Sequence, residues 1–213
     1  LPGMIFTPKF NYLGYPKTEY IQRFLKQQNY PAKVGFLQFN NRQFQEELVE
    51  FEKLATEKEA QRLAAALQGK IGVLVASEFL KGAAWAFRNQ INEISHSYCL
   101  FFDIPEMNHH LVEAFNQPEG AKKELCYLFF RSSRYWPKNQ RRYQITKELL
   151  DQQKIENIEY SLQRQGKLAQ VFEIIQLGGL TSVHLSFLNQ QDPGPEPWIL
   201  YFKKQLAAHE KER

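Results

Sequence analysis

Cysteine is scarce in this chain: two residues among 213, Cys99 and Cys126. Two thiols make no disulfide framework. Both fall inside apolar runs where a thiol behaves as a small hydrophobe, which suits a reducing cytoplasm. The five histidines (His96, His109, His110, His184 and His209) and the two cysteines form no HxxxH or CxxC pattern, so no metal site is expected. Glycine patterns are missing too. Without GxGxxG or a Walker lysine loop there is no support for a bound nucleotide, and without a GxSxG elbow or an activated cysteine there is none for covalent catalysis; no cofactor is expected. No apolar run approaches the ~18 residues that cross a bilayer, and no targeting signal is visible, so no membrane association is expected. Charge of one sign is also thin. The net charge is +4 and the pI about 8.9, with Asp and Glu interspersed among Lys and Arg, which fits anionic small molecules better than nucleic acid.

What the chain does have is enough apolar content, 43%, to bury a core, and its length suits one domain with an extension. It opens on Leu1-Pro2-Gly3 without an initiator methionine, as a fragment of something longer would. The first forty residues carry Pro2, Pro8, Pro16 and Pro31 and read as irregular, apart from a helix over 17–28. Asn40 or Asn41 is placed to cap the next helix, and Gln43 supports a capping box. Phe44, Leu48, Phe51 and Ala55 then recur at helical spacing, continuing through Leu63 and Leu67 until Gly69 stops the pattern; one long helix or two in sequence is expected over 41–68.

Beyond Gly69 short apolar runs alternate with helical stretches. Strands are expected at 71–76, 98–104 and 125–130, with a weaker one at 158–162. Helices are expected over 78–91, from near Asn108, over 139–153, over 166–190 and from Pro197 onward. The Gly178-Gly179 pair predicts a break in the helix over 166–190. Such alternation implies a doubly wound α/β domain from about 70 to 213, with a parallel sheet, helices on both faces and a helical extension in front. Ligands of such sheets bind beyond the carboxyl ends of the strands, which puts Ser77 and the loops after Ile104 and Phe130 on one rim.

Glu93 and His109 bracket the second strand, a carboxylate before it and an imidazole after it, and these are proton-transfer groups. The apolar neighbours Phe87, Ile91 and Ile94 would raise the Glu93 pKa toward that of a usable general base, whereas a solvated helix-end glutamate is the commoner case. His109, next to His110 at a helix start, reads either as a proton carrier near neutral pH or as an exposed cap. The basic stretch 131–142, with Arg131, Arg134, Lys138, Arg141 and Arg142 among aromatics, fits either a polyanion grip or a solvated loop entering a helix.

Gln90-Ile-Asn-Glu93, followed by Ile104-Pro-Glu-Met-Asn-His109, resembles the segments Q-(I/L)-N-E-N-A-K and L-P-E-x-N-H-N-E of the bifunctional phosphoglucose/phosphomannose isomerases, with the same separation of 16 positions. Three further segments agree in order. Thr7-Pro-Lys-Phe-Asn-Tyr-Leu-Gly14-Tyr15 is similar to P-R-x-x-L-G-Y, and Leu177-Gly178 with Ser182-Val-His-Leu-Ser is similar to L-G-D-x-x-S-x-Y-L-A. Asp192-Pro-Gly-Pro with Lys203 is similar to D-P-T-P and a downstream lysine. Those enzymes consist of two sugar-isomerase (SIS) domains. The resemblance implies that residues 70–213 are the second of them, an SIS-type three-layer α-β-α unit, and residues 1–69 an interdomain segment and helical extension; the first SIS domain, whose Ser/Thr-rich loop holds the sugar phosphate, would be missing.

The family interconverts glucose 6-phosphate or mannose 6-phosphate with fructose 6-phosphate, without metal or nucleotide. Its pattern implies a phosphorylated hexose as ligand, a homodimer, Glu93 as the base that moves a proton between C1 and C2, and His109 as the ring-opening group that reaches a neighbouring subunit's site. Lys9 stands where the family has an arginine. With Lys203 and Ser77 it is expected to contact substrate. Other departures are Ile94-Ser95-His96 for N-A-K, Gly179 for aspartate and Gly194 for threonine. They motivate an alternative: a non-catalytic SIS-fold module that binds a phosphosugar or a partner protein.

Overall fold

The apolar runs become strands and the periodic stretches become helices in the computed structural model, which describes residues 56–211. Lys9, the helix expected over 17–28 and the capping box at Asn40 lie outside the described residues. β1 (Ile71–Ser77), β2 (Cys99–Ile104), β3 (Leu125–Arg131) and β4 (Glu156–Ser161) pair in parallel throughout, in the order β2-β1-β3-β4. The order reverses between β1 and β3. Loops leaving those two strands diverge there and open a crevice at the carboxyl edge.

The helices are α1 (Glu57–Leu67), α2 (Lys81–Ile94), α3 (Met107–His110), α4 (Ala121–Glu124), α5 (Pro137–Gln152), α6 (Lys167–Leu188) and α7 (Pro197–Lys211). Successive strand residues face opposite ways, and β3 shows which layer lies on each side. Phe130 packs its ring on Phe87 of α2, while Phe129 packs on Tyr143 of α5. Tyr127, on the Phe129 side, meets Phe115 in the 3-10 turn that follows α3. One layer therefore holds α2 with α6 and α1; the other holds α5 and the short elements after β2. The doubly wound α/β architecture is the observed one.

Several elements differ from the sequence reading in detail. The helix expected from Asn108 is a single turn, α3, continued by the 3-10 turn Val112–Asn116. α1 buries Ala60, Leu63, Ala64 and Leu67 in the same core cluster as the strands, so a boundary at residue 70 separates it from a core to which it contributes. Gly69 ends α1 at a left-handed φ of +69°, a conformation glycine adopts without the Cβ penalty.

The expected break at Gly178-Gly179 does not occur, because α6 runs unbroken for 22 residues. A Cβ on Gly178 would lie 2.2 Å from Gln90 Oε1 and 2.8 Å from Phe87 Cγ, so the missing side chain is what lets α2 approach α6. The helix also corrects the expectation that no apolar segment is long enough to span a bilayer: by length and composition an 18-residue window of it passes, with a mean hydropathy of 1.4. Here it lies against α1 and α2, and 61% of that window is buried. α7 is the opposite case. Trp198, Tyr201 and Phe202 are 81%, 60% and 65% exposed.

Candidate functional site

The segment Gln90 to Glu93 forms the last turn of α2, and its polar members divide their work. Gln90 Nε2 donates to the Ile175 carbonyl of α6 (3.2 Å), tying the two helices together. Asn92 Oδ1 accepts the Cys99 N–H (2.9 Å), fixing where β2 begins. Glu93 is half-buried, and its carboxylate makes no hydrogen bond among the described residues. Burial, first, and the neighbouring charge of Glu196 push its pKa above the usual carboxylate value, while Lys203 pulls it back. Two residues frame the turn, and Glu93 takes no part in that frame among the described residues.

Glu196 was not singled out in the sequence. It sits immediately before Pro197, the first residue of α7, and that helix also carries Lys203, whose charge acts on the same carboxylate. The only sequence signal was its place just after the Asp192-Pro-Gly-Pro motif.

His109 lies at the other end of β2. α2 runs from the carboxyl edge of the sheet back to its amino edge, as Lys81 pairing with Asp103 at one end and Asn92 bonding Cys99 at the other make plain. Six strand residues, roughly 20 Å at the usual rise, therefore separate the Glu93 and His109 ends. A single chain does not bring this carboxylate and this imidazole together. His109 is exposed and lines a cleft of about 380 Å³ with Pro105, Glu106, Asn108 and Arg142.

Ser77 does sit at the carboxyl tip of β1, but its side chain is inaccessible. It is 0% exposed, its Oγ donates to the Ile104 carbonyl (2.6 Å) and accepts from Asn139 Nδ2 (3.3 Å). The hydroxyl ties three carboxyl-edge loops together and is not presented to a ligand. Beside it, Glu78 adopts φ +48° and caps α5, accepting from the Trp136 N–H (2.7 Å) and Asn139 Nδ2 (2.9 Å).

The basic stretch is knitted into the fold. Arg131 pairs with Glu159, Ser132 Oγ donates to Gln170, Gln140 holds the carbonyls of Ser133 and Tyr135, and Lys138 lies over the Trp136 ring. Cys99 and Cys126 are buried, and burial pushes each thiol up to about 12, so neither is a nucleophile at neutral pH. Among the described residues no group of three His, Cys, Asp or Glu side chains could hold a metal ion.

A family model described as the bacterial phospho-glucose isomerase C-terminal SIS domain matches residues 56–206. A bifunctional phosphoglucose/phosphomannose isomerase from Aquifex aeolicus (strain VF5) is 27% identical over 152 residues, which are 71% of this chain and 47% of that protein. This chain thus spans about half the length of that curated relative. Two solved structures share the fold. A glucose-6-phosphate isomerase-like protein from Thermus thermophilus aligns with TM-score 0.51 at 19% identity, covering 65% of this chain and 46% of that one. A glucosamine-6-phosphate deaminase from Thermotoga maritima aligns with TM-score 0.54 at 11% identity, covering 74% and 48%. With most of its described residues inside the family match, and the Gln90 to Glu93 turn built as above, the chain belongs to the bacterial phospho-glucose isomerase C-terminal SIS domain family.

Proposed function

We propose that this chain is the second SIS domain of a phosphosugar aldose-ketose isomerase acting on glucose 6-phosphate or mannose 6-phosphate and fructose 6-phosphate. The observation that carries this reading is the half-buried Glu93 with its raised pKa and no hydrogen-bond partner among the described residues, held in a family motif whose other polar members serve the frame. Glu93 takes the C2 proton of the open-chain aldose; the electron pair left behind forms the C1–C2 double bond as the C1 carbonyl pair moves onto O1, and the O2 proton passes to O1, leaving the charge on O2. Protonation at C1 by the same carboxyl group gives the ketose and regenerates the carboxylate. Lys203, whose charge lowers the Glu93 pKa, is proposed to offset negative charge on the reacting oxygens. Lys9 is proposed as a second anionic contact, and Ser77 is left out because its hydroxyl is enclosed.

His109 is proposed to open the sugar ring in a site completed by a second copy of the chain. The separation of Glu93 and His109 along β2 supports that arrangement, since one copy does not supply both groups. The first SIS domain of the longer relatives is proposed to hold the phosphate. Following aldose formation from fructose 6-phosphate tests the reading: turnover lost in Glu93→Gln and kept in Lys58→Gln, at an exposed position of α1, supports it, and equal turnover in both rejects it.

A second reading, a non-catalytic phosphosugar-binding module, is favoured by the enclosed Ser77 hydroxyl and by Ile94 and His96 after the glutamate. It predicts a rise in melting temperature with hexose 6-phosphates and no turnover even with the partner domain supplied.

A further inference from the structure

α7 meets the domain along one side only. Ile199 is half-buried, and Lys203, one turn further on, lowers the Glu93 pKa, so that side turns inward. Trp198, Tyr201, Phe202 and Leu206 recur at helical spacing around the adjoining side, and all four are exposed. An apolar stripe of this kind in water marks a contact surface, and a helix of 15 residues is marginal without packing on its apolar face. Residues 41–55, which lie outside the described residues, carry the matching pattern. Phe44, Leu48, Phe51 and Ala55 recur with the helical period, and Glu47 and Glu52 flank that seam. Each stretch spans 15 positions, roughly 22 Å as a helix.

We propose that residues 41–55 dock as an amphipathic helix on the aromatic face of α7, with Phe44, Leu48 and Phe51 against Trp198, Phe202 and Leu206. The point where the chain enters the fold supports this. Glu57 pairs with His184, one turn before α6 ends, and Asn189 just past that end bonds Ser97. Residues 41–55 therefore join the described fold at the end of α6 from which α7 departs. Charge selects this occupant over the α7 of a second copy. Residues 41–55 carry four glutamates against Arg42 and Lys53, a net charge of −2, while α7 carries three lysines against Glu210, a net charge of +2. Two copies of α7 set face to face would bring like charges together. The docking needs no chemistry from Glu93 and stands or falls apart from the isomerase reading.

The test reads Trp198 fluorescence in the full chain, with Trp85→Phe and Trp136→Phe leaving it as the sole indole. The expected result is a blue-shifted emission and acrylamide quenching well below that of free N-acetyltryptophanamide, both unchanged on dilution. Leu48→Glu with Phe51→Glu should shift the emission to the red and raise quenching to that of the free indole. Glu47→Lys with Glu52→Lys leaves the apolar seam intact and serves if the first pair does not fold; it should raise quenching part of the way, by turning attraction into repulsion. Three outcomes would overturn the docking. Trp198 as open to acrylamide in the full chain as the free indole would leave the face to another partner, such as a further domain or an anionic lipid surface. Shielding lost on dilution would assign it to contact between copies, and shielding indifferent to both pairs of substitutions would assign it to a different part of the chain.

Discussion

Glu93 is less comfortable ionised than an ordinary surface glutamate, since burial and Glu196 together outweigh Lys203. Its folded-state pKa lies above the unfolded value. A carboxyl shifted that way contributes stability that is fully present below the unfolded pKa and is lost as pH rises through the folded pKa. At neutral pH the charged side chain therefore opposes folding relative to its neutral amide. Glu93→Gln should abolish aldose-ketose turnover and yet melt slightly higher than the wild type at pH 7, a gap that closes as pH falls below the carboxylate range; thermal scans across pH 4–8 check this. Glu159 has the opposite sign. Burial raises its pKa, but hydrogen bonds and charge from Lys147 and Arg131 hold it below the usual value, so its contribution is present above the unfolded pKa and fades in acid. Lys147→Met should cost roughly 0.5–1 kcal/mol near pH 7 and much less near pH 3, as read by urea unfolding. Glu93 was singled out in the sequence because a motif marked it. The influence of Glu196 was not, because it acts across 103 residues of chain (196 minus 93) and depends on where α7 returns.

At the scale of elements, α6 shows best how local preference yields to packing. Glycine lowers helix propensity by about 1 kcal/mol relative to alanine, which is why Gly178-Gly179 read as a break. Contact between α2 and α6 decides otherwise. Gly178→Ala should destabilise by about 1–3 kcal/mol despite its better propensity, since the new methyl group meets Gln90 Oε1 at 2.2 Å and the Phe87 ring at 2.8 Å. Gly82→Ala in the first turn of α2 should do the reverse, because nothing lies within 4 Å of the added carbon; a gain of about 0.5–1 kcal/mol in chemical unfolding is expected. α6 also hides a polar anchor. Glu173 is 0% exposed and accepts from Tyr160 Oη (2.7 Å), the Gln163 N–H (2.7 Å) and the Arg164 N–H (3.0 Å), closing the loop after β4. In the sequence it was one acid inside an apolar helix, with nothing to reveal three donors brought to it by the turn from β4.

For the whole molecule, the separation of Glu93 from His109 has a direct consequence. If each site takes its carboxylate from one copy and its imidazole from another, Glu93→Gln and His109→Ala are each inactive alone, but mixed dimers hold one intact site. Unfolding and refolding the two together in equal amounts should restore about a quarter of wild-type activity, from half the dimers having one of two sites. A mixture as inactive as its parts would remove the shared-site reading. The strand positions, the longer helices and the motif residues were determined by the sequence itself, because periodicity, glycine and proline punctuation and apolar runs act over a few neighbouring residues. Only the tertiary structure decided that α6 stays whole, that α1 joins the core, that the Ser77 hydroxyl is enclosed, and that Glu93 and His109 stand at opposite edges of the sheet. Those outcomes follow from close approach, burial and chain direction, which exist only once distant segments have met.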